Sequence, residues 1–295
     1  MTDDAARRAK KKGLLVRLTV APLLLAAVLG LLWWHAHTGT SIGTDVVMAL
    51  FSAGAAYEAA AMLAKASRRP HMAIVVVSSA ALAGLGLLAP NSPEMRGDLR
   101  SIILVAATLA IFVRHLRTPR EGDLDRMLAS FLPIVFVGYL FGLLRELGDG
   151  ADGARRIAFV VVASKASDIG GWIVGKSIGR HKMIPSVSPG KTWEGTIGGL
   201  LFSAGAALLM RASIGTPGLD VSSAVGTAVF GIVLGAASIT AGLCHSALKR
   251  RCGVKDSSTL LPEMGGVLDM VDSLVLAAPV ALFWLVRVGP VIHVY

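Results

Sequence analysis

Charge is scarce in this sequence: only 16% of its 295 residues are Asp, Glu, Lys or Arg, against about 25% in a soluble domain. Too few solvated groups are present to cover a globular surface, which excludes an ordinary soluble fold. Cysteine is almost missing. Cys244 and Cys252 cannot form a disulfide framework, and without a second Cys or His pair at ligand spacing they make a poor zinc signature, so both read as free thiols. Polar linkers longer than about 20 residues are also missing, which points to a single domain over residues 1–295. Acidic residues are outnumbered by basic ones, 19 to 29, giving a formal charge of +10. The basic residues lie between apolar segments and not along one amphipathic surface, so membrane topology explains them better than nucleic-acid binding does.

What the chain has instead is apolar length. Hydrophobic residues make up 54%, Gly adds 33 positions, and the mean hydropathy is +0.66. Segments of about 18 to 23 apolar residues can cross the roughly 30 Å hydrocarbon core as helices. Nine are predicted, at residues 14–36, 45–64, 71–89, 100–116, 127–147, 157–174, 192–210, 222–243 and 267–286. The fold class is therefore an all-α, polytopic integral membrane protein. The first segment exceeds the short apolar region of a cleavable signal peptide and is expected to be retained. Trp33 and Trp34 read as interface anchors.

Lys and Arg divide between the alternate loops as 21 to seven, with Lys165 left inside a span. The richer side is cytoplasmic by the positive-inside rule, which puts the N-terminus in, the C-terminus out and the two polar motif loops on the cytoplasmic face of the inner membrane.

Some residues are not explained by a bilayer. Glu58, Lys165 and Asp168 fall in or at the ends of spans, where an ionised group costs about 2.5 to 3.5 kcal/mol. Lys165 and Asp168 are three apart, which allows either a self-neutralising helical pair or a polar cavity. Gly171, Gly175 and Gly179 recur every fourth residue and read as a helix-packing stripe. In Ser188-Pro189-Gly190-Lys191-Thr192-Trp193-Glu194-Gly195, the Gly-Lys-Thr ending suggests a P-loop, but position 185 is Pro and no strand is expected before it. A helix start with Ser188 as N-cap and Pro189 in the first turn is predicted instead, with Lys191 beside a phosphate cradle. The later loop carries Lys249, Arg250, Arg251 and Lys255, followed by Asp256, the Gly265-Gly266 pair, Asp269 and Asp272. Two carboxylates three apart at a helix start, facing a basic loop, suit a hard cation such as magnesium. Cations for phosphates and carboxylates for a metal are what nucleotidyl transfer requires.

In this order the residues resemble the phosphatidate cytidylyltransferase family, the CDP-diacylglycerol synthases. Ser246, Lys249, Arg250, Lys255, Asp256, Pro262, Gly265, Gly266, Asp269 and Asp272 match the C-terminal signature. Asp168, Gly170, Ser188, Pro189, Lys191, Thr192, Glu194 and Gly195 match the upstream pattern. The catalytic half is then approximately 157–286. The resemblance implies cytidylyl transfer from CTP to phosphatidic acid, giving CDP-diacylglycerol and pyrophosphate. It implies catalytic roles for Lys191, Lys249, Arg250, Lys255 and Asp256, and substrate contacts at Ser188, Thr192, Glu194, Ser246, Gly265 and Gly266. Asp168, Asp269 and Asp272 would bind magnesium, Asp168 being the candidate for a second cation. CTP, phosphatidic acid and membrane lipids are the implied partners; a homodimer is compatible, and nucleic acid is not a partner.

Departures accompany the match. Met264 and Met270 stand where the family has His and Arg. Against the family's Gly-Asp-x-x-Glu-Ser segment this chain reads Gly242-Leu243-Cys244-His245-Ser246, with Leu243 read as replacing an acidic metal-site residue. Two other classes stay open: an inactive lipid-binding paralogue, and a transporter, which would explain Glu58 and Lys165 but not the two loops.

Overall fold

The computed structural model describes residues 23, 26–66, 68–90, 92–117, 123–216, 223–260 and 265–284. The first half of the first predicted span except residue 23, the basic residues before it, Pro262, Met264 and Arg287 lie outside the described residues. Helices dominate, because lipid offers no hydrogen-bond partner and an apolar segment must satisfy its own backbone. Residues 26–38 form α1. Ile42–Lys65 (α2), Met72–Ala83 (α3), Leu85–Leu88 (α4) and Pro93–Arg117 (α5) follow. The next rod begins as α6 (Asp123–Pro133), widens into a π segment at Ile134–Tyr139, passes through α7 (Leu140–Gly142) and tightens to 3-10 geometry at Leu143–Gly148. The widening begins directly after Pro133, which has no N–H to keep the regular α ladder. The C-terminal half contains α8 (Gly153–Ile178), the hairpin β1 (Lys182–Ile184) and β2 (Ser188–Thr192), then α9 (Trp193–Ile214), α10 (Ala224–Arg251) and α11 (Val267–Phe283).

Among the described residues six helices, not nine, are long and apolar enough to cross a bilayer: Ile42–Lys65, Pro93–Arg117, Leu124–Gly148, Gly153–Ile178, Trp193–Ile214 and Ala224–Arg251. The protein is thus helical and polytopic, but the count of nine is not supported. Residues 71–89 break at Gly84 into helices of 12 and 4 residues, and 12 residues rise only about 18 Å. The last predicted span is a 17-residue helix within the described residues. The paired strands β1 and β2, which are antiparallel, add a small element that the all-α expectation lacked.

Small residues set the packing of the C-terminal half. A Cβ on Gly171 would stand 3.4 Å from the Gly195 carbonyl oxygen, and one on Gly175 would stand 3.5 Å from Gly195 Cα. The glycine stripe is therefore where α8 and α9 approach, as expected for helices in lipid. Ser203 ties in a third helix. Its Oγ lies 2.9 Å from the Ala163 carbonyl oxygen on α8 and 2.6 Å from that of Gly231 on α10.

In the N-terminal half, Ala55, Ala56, Ala59 and Ala60 of α2 are buried, and α2 packs on α3 and α11. Near the start of α2 lies a buried charge network. Arg96 pairs with Glu146 and Asp149, Arg100 with Glu146, and Arg145 with both Asp45 and Asp149. Arg96 is fully buried and Arg145 nearly so. Losing one member of such a network leaves an uncompensated charge, so these pairs fix one end of the bundle. The other end of α2 reaches the candidate site about 20 Å away along the helix.

Candidate active site

The site is organised around the start of α11. Glu58 is buried at 4% exposure and accepts three hydrogen bonds, from Ser258 Oγ at 2.7 Å, Val267 N at 3.0 Å and Leu268 N at 2.9 Å; Ser257 Oγ lies 3.0 Å away, its single proton going to the nearer Asp269. Two of these donors are backbone N–H groups of the first turn of α11, which have no partner within the helix. The carboxylate thus caps α11 from a distant helix, and the positive end of the helix dipole favours its charge. Gly265 and Gly266 are required by this arrangement. Gly265 has φ +87°, and a Cβ on either glycine would overlap the carboxylate of Asp269 or Glu58 respectively. Their place in the motif therefore has a structural cause.

Asp269 accepts from Lys249 Nζ at 2.6 Å, from Ser257 N at 3.0 Å and Oγ at 2.6 Å, and from Gly266 N at 3.0 Å. Its work is to tie Lys249 to Ser257 and Gly266. Asp272, one turn further along, lies 3.0 Å from His245 Nδ1. His245 is fully buried, and its Nε2 has no hydrogen-bond partner among the described residues.

From α8 come Lys165 and Asp168, 3.7 Å apart. Lys165 Nζ also donates to the Met270 carbonyl at 2.6 Å and to Ser273 Oγ at 2.7 Å, joining α8 to α11. Lys191, at the end of the hairpin, donates to the Ile239 carbonyl at 3.2 Å. Burial pushes its ammonium below the ordinary lysine range, and Asp168 and Asp272 partly oppose that shift. Beneath these groups is a cavity of about 460 Å³ whose wall is largely apolar, including Met48, Phe51, Phe141 and Leu144, with Lys165, Asp168 and Asp269 at its polar end.

Several expectations are corrected here. Ser188 is not an N-cap and Pro189 is not in a helix: residues 188–192 form β2, and Thr192 caps α9 by accepting from Gly195 N at 3.1 Å. Pairing with Lys182–Ile184 draws this segment into an extended strand. The missing carboxylate does not belong at Leu243. The family segment is six residues long, and counted back from Ser246 its Asp falls on Gly242 and its Glu on His245. Geometry agrees, because a Cβ at Gly242 would stand 3.2 Å from Lys191 Nζ and 3.9 Å from Asp272 Oδ2. One helical residue later the side chain is turned by about 100°.

The remaining motif residues divide. Lys191, Lys249, Asp168, Asp269 and Asp272 come together with Gly265 and Gly266. Lys255 and Asp256 are exposed on the turn after α10, and Ser188 and Ser246 are partly buried. Arg250 donates to the carbonyls of Val187 and Val254, both at 3.3 Å, and thereby fastens the hairpin to α10. Glu194 lies 2.6 Å from His181 Nδ1 and accepts from His181 N, closing the base of the hairpin. Sequence reasoning did not assign Ser257 or a role for His245. Ser257 had no signal beyond its place after Lys255-Asp256, whereas a His at a usually acidic position was a visible one.

Gly242→Asp is expected to put a carboxylate beside Lys191 and Asp272 and to lower the magnesium concentration giving half-maximal activity. Leu243→Asp is the control and should leave that concentration unchanged.

Comparison with known proteins fits this site. Residues 15–288 match the Cytidylyltransferase family. The phosphatidate cytidylyltransferase of Pseudomonas aeruginosa is 37% identical over 220 residues, 71% of this chain and 77% of that protein. That of Brucella suis biovar 1 is 38% identical over 184 residues, covering 62% and 64%. A protein of Escherichia coli (strain K12) named uncharacterized protein YnbB is 39% identical over 133 residues, covering 45% and 43%. The chain spans about half to two thirds of the E. coli and Brucella proteins. With the match running through both motif loops and nearly the whole helical bundle, the chain belongs to the cytidylyltransferase family.

Proposed function

We propose that the protein transfers a cytidylyl group from CTP to phosphatidic acid, giving CDP-diacylglycerol and pyrophosphate. The observation that carries this reading is the convergence of Lys191 and Lys249 with Asp168, Asp269 and Asp272 beside an apolar cavity that Asp168 and Asp269 line. The names of the P. aeruginosa and Brucella relatives support the same reaction. In the reaction an oxygen of the lipid phosphate attacks the α-phosphorus of CTP, the new P–O bond forms, and the bond to the β-phosphate oxygen breaks as pyrophosphate departs. Both reactants are anions, so the protein's part is to position them and offset their charge. Lys191 and Lys249 hold the triphosphate from the loop side, and Asp269 fixes Lys249 for that purpose.

Asp168 and Asp272 fit a magnesium ion. They lie within electrostatic reach of each other, and magnesium commonly takes one or two carboxylates together with substrate phosphates and water. Asp269 fits less well, since four hydrogen bonds already converge on it. Among the described residues no group of three or more His, Cys, Asp or Glu side chains is set to hold a metal, so substrate phosphates and water would complete the ion's ligands. When bound, magnesium would neutralise charge on the phosphates.

The division of basic residues supports an inner-membrane protein with its N-terminus and motif loops in the cytoplasm, where CTP is available. Purified protein in detergent, given phosphatidic acid and magnesium, is expected to release pyrophosphate with CTP and not with ATP. Release that needs no lipid would overturn the proposal, and no release with any nucleotide would overturn it in favour of an inactive lipid-binding paralogue.

Lys191 also sets a pH dependence. Its ammonium must be charged to hold phosphate, and because burial lowers its pKa, activity should fall as pH rises through that lowered value. Lys191→Arg keeps a cation at every accessible pH. The alkaline limb of its pH–rate profile is therefore expected to move to higher pH; an unmoved limb assigns the titration elsewhere.

A further inference from the structure

We infer that Lys165 binds the phosphate of the lipid substrate, dividing the site into a lipid-phosphate end and a nucleotide-phosphate end. The inference rests on the transfer reaction proposed above. Lys165 belongs to neither motif match, yet it places an ammonium at the head of an apolar cavity, where an uncompensated charge is costly. Its bonding is incomplete for an ammonium, which has three N–H donors. Two short bonds go to neutral acceptors, the Met270 carbonyl at 2.6 Å and Ser273 Oγ at 2.7 Å. The nearest anion in an ion pair with it, Asp168, is 3.7 Å away, beyond the roughly 2.7 to 2.9 Å of a charge-assisted hydrogen bond. One donor is therefore available to an incoming anion.

The cavity specifies what kind of anion. Its apolar wall at Met48, Phe51, Phe141 and Leu144, below a polar end of Lys165, Asp168 and Asp269, fits an amphiphile with a small charged head. Charge specifies it further. With no nucleotide bound, Lys165, Lys191 and Lys249 balance Asp168, Asp269 and Asp272, so a divalent cation and a phosphomonoester dianion can enter together without leaving net charge. A phosphodiester lipid brings one negative charge and fits this balance less well. Lys191 and Lys249 reach the site from the hairpin and from α10, whereas Lys165 reaches it from the middle of α8, the side on which the cavity lies.

The test uses the full chain purified in mixed micelles containing either phosphatidic acid or phosphatidylglycerol. Lipid retained by the protein is quantified, and KM is measured separately for phosphatidic acid and CTP. Wild type is expected to retain phosphatidic acid in preference to phosphatidylglycerol. Lys165→Met, which keeps much of the length without the charge, should lose that preference and raise the KM for phosphatidic acid about tenfold or more, with the KM for CTP unchanged. Lys165→Arg should keep most of the preference. If Lys165→Met does not yield folded protein, Lys165→Gln, which can still donate to Met270 or Ser273, reads the same contrast. An undiminished preference in the neutral variant, or an equal rise in both KM values, would overturn the inference. Selective retention by wild type without any CDP-lipid product would instead count against the transfer reaction, leaving the phosphate site standing.

Discussion

Asp272→Asn is expected to lower CTP-dependent turnover about a hundredfold, equivalent to about 2.7 kcal/mol of transition-state stabilisation, while the protein stays folded. Asp272 lies near Asp168 and at 3.0 Å from His245, so the amide preserves shape and removes a metal-binding charge. Asp269→Asn separates two kinds of carboxylate. Asp269 holds Lys249, Ser257 and Gly266 by four hydrogen bonds, and an amide cannot accept all of them at one end. This variant should therefore lose activity and also unfold at a lower temperature. Turnover and the thermal midpoint in detergent are measured together. Equal drops in midpoint for the two variants would refute the distinction, and normal turnover in Asp272→Asn would remove Asp272 from the metal site.

The second large effect is expected at Glu58, far from the motifs in sequence. Glu58→Ala strands two backbone N–H groups and the Ser258 hydroxyl in a buried place. Each unsatisfied donor costs about 1 to 3 kcal/mol, so three of them should cost about 3 kcal/mol or more, with turnover falling as the start of α11 loosens. Glu58→Gln keeps one acceptor oxygen and is expected to lie between Ala and wild type. The check is the thermal midpoint in detergent beside the activity assay. If Glu58→Ala leaves the midpoint at the wild-type value, Glu58 does not anchor the start of α11.

The parts of the structure legible in the sequence were those with a local cause. Apolar length announces a helical membrane protein, and the spacing of Lys191, Lys249, Asp269 and Asp272 announces phosphate chemistry. Residues 71–89 misled because hydropathy measures apolarity and not continuity; Gly84 interrupts the helix without making the segment less apolar. The Ser188-Pro189 start has the composition of a helix cap, and only pairing with Lys182–Ile184 shows it to be a strand. Glu58 was ambiguous because its partners lie about 200 residues away in the chain. Lys165 was read correctly as either a pair or a cavity residue; distances, not spacing, show that its short bonds go to Met270 and Ser273. At Gly242 the obstacle was one residue of register, which a helix converts into a different face.

The most direct test of the central claim follows the label of CTP in a single turnover. Purified protein is incubated with phosphatidic acid, magnesium and CTP carrying isotope at either the α- or the γ-phosphorus. The account predicts that α-label enters the lipid fraction in equal amount to the pyrophosphate released, and that γ-label appears only in pyrophosphate. Label from the γ-position in the lipid, or no label in lipid from either position, would contradict it.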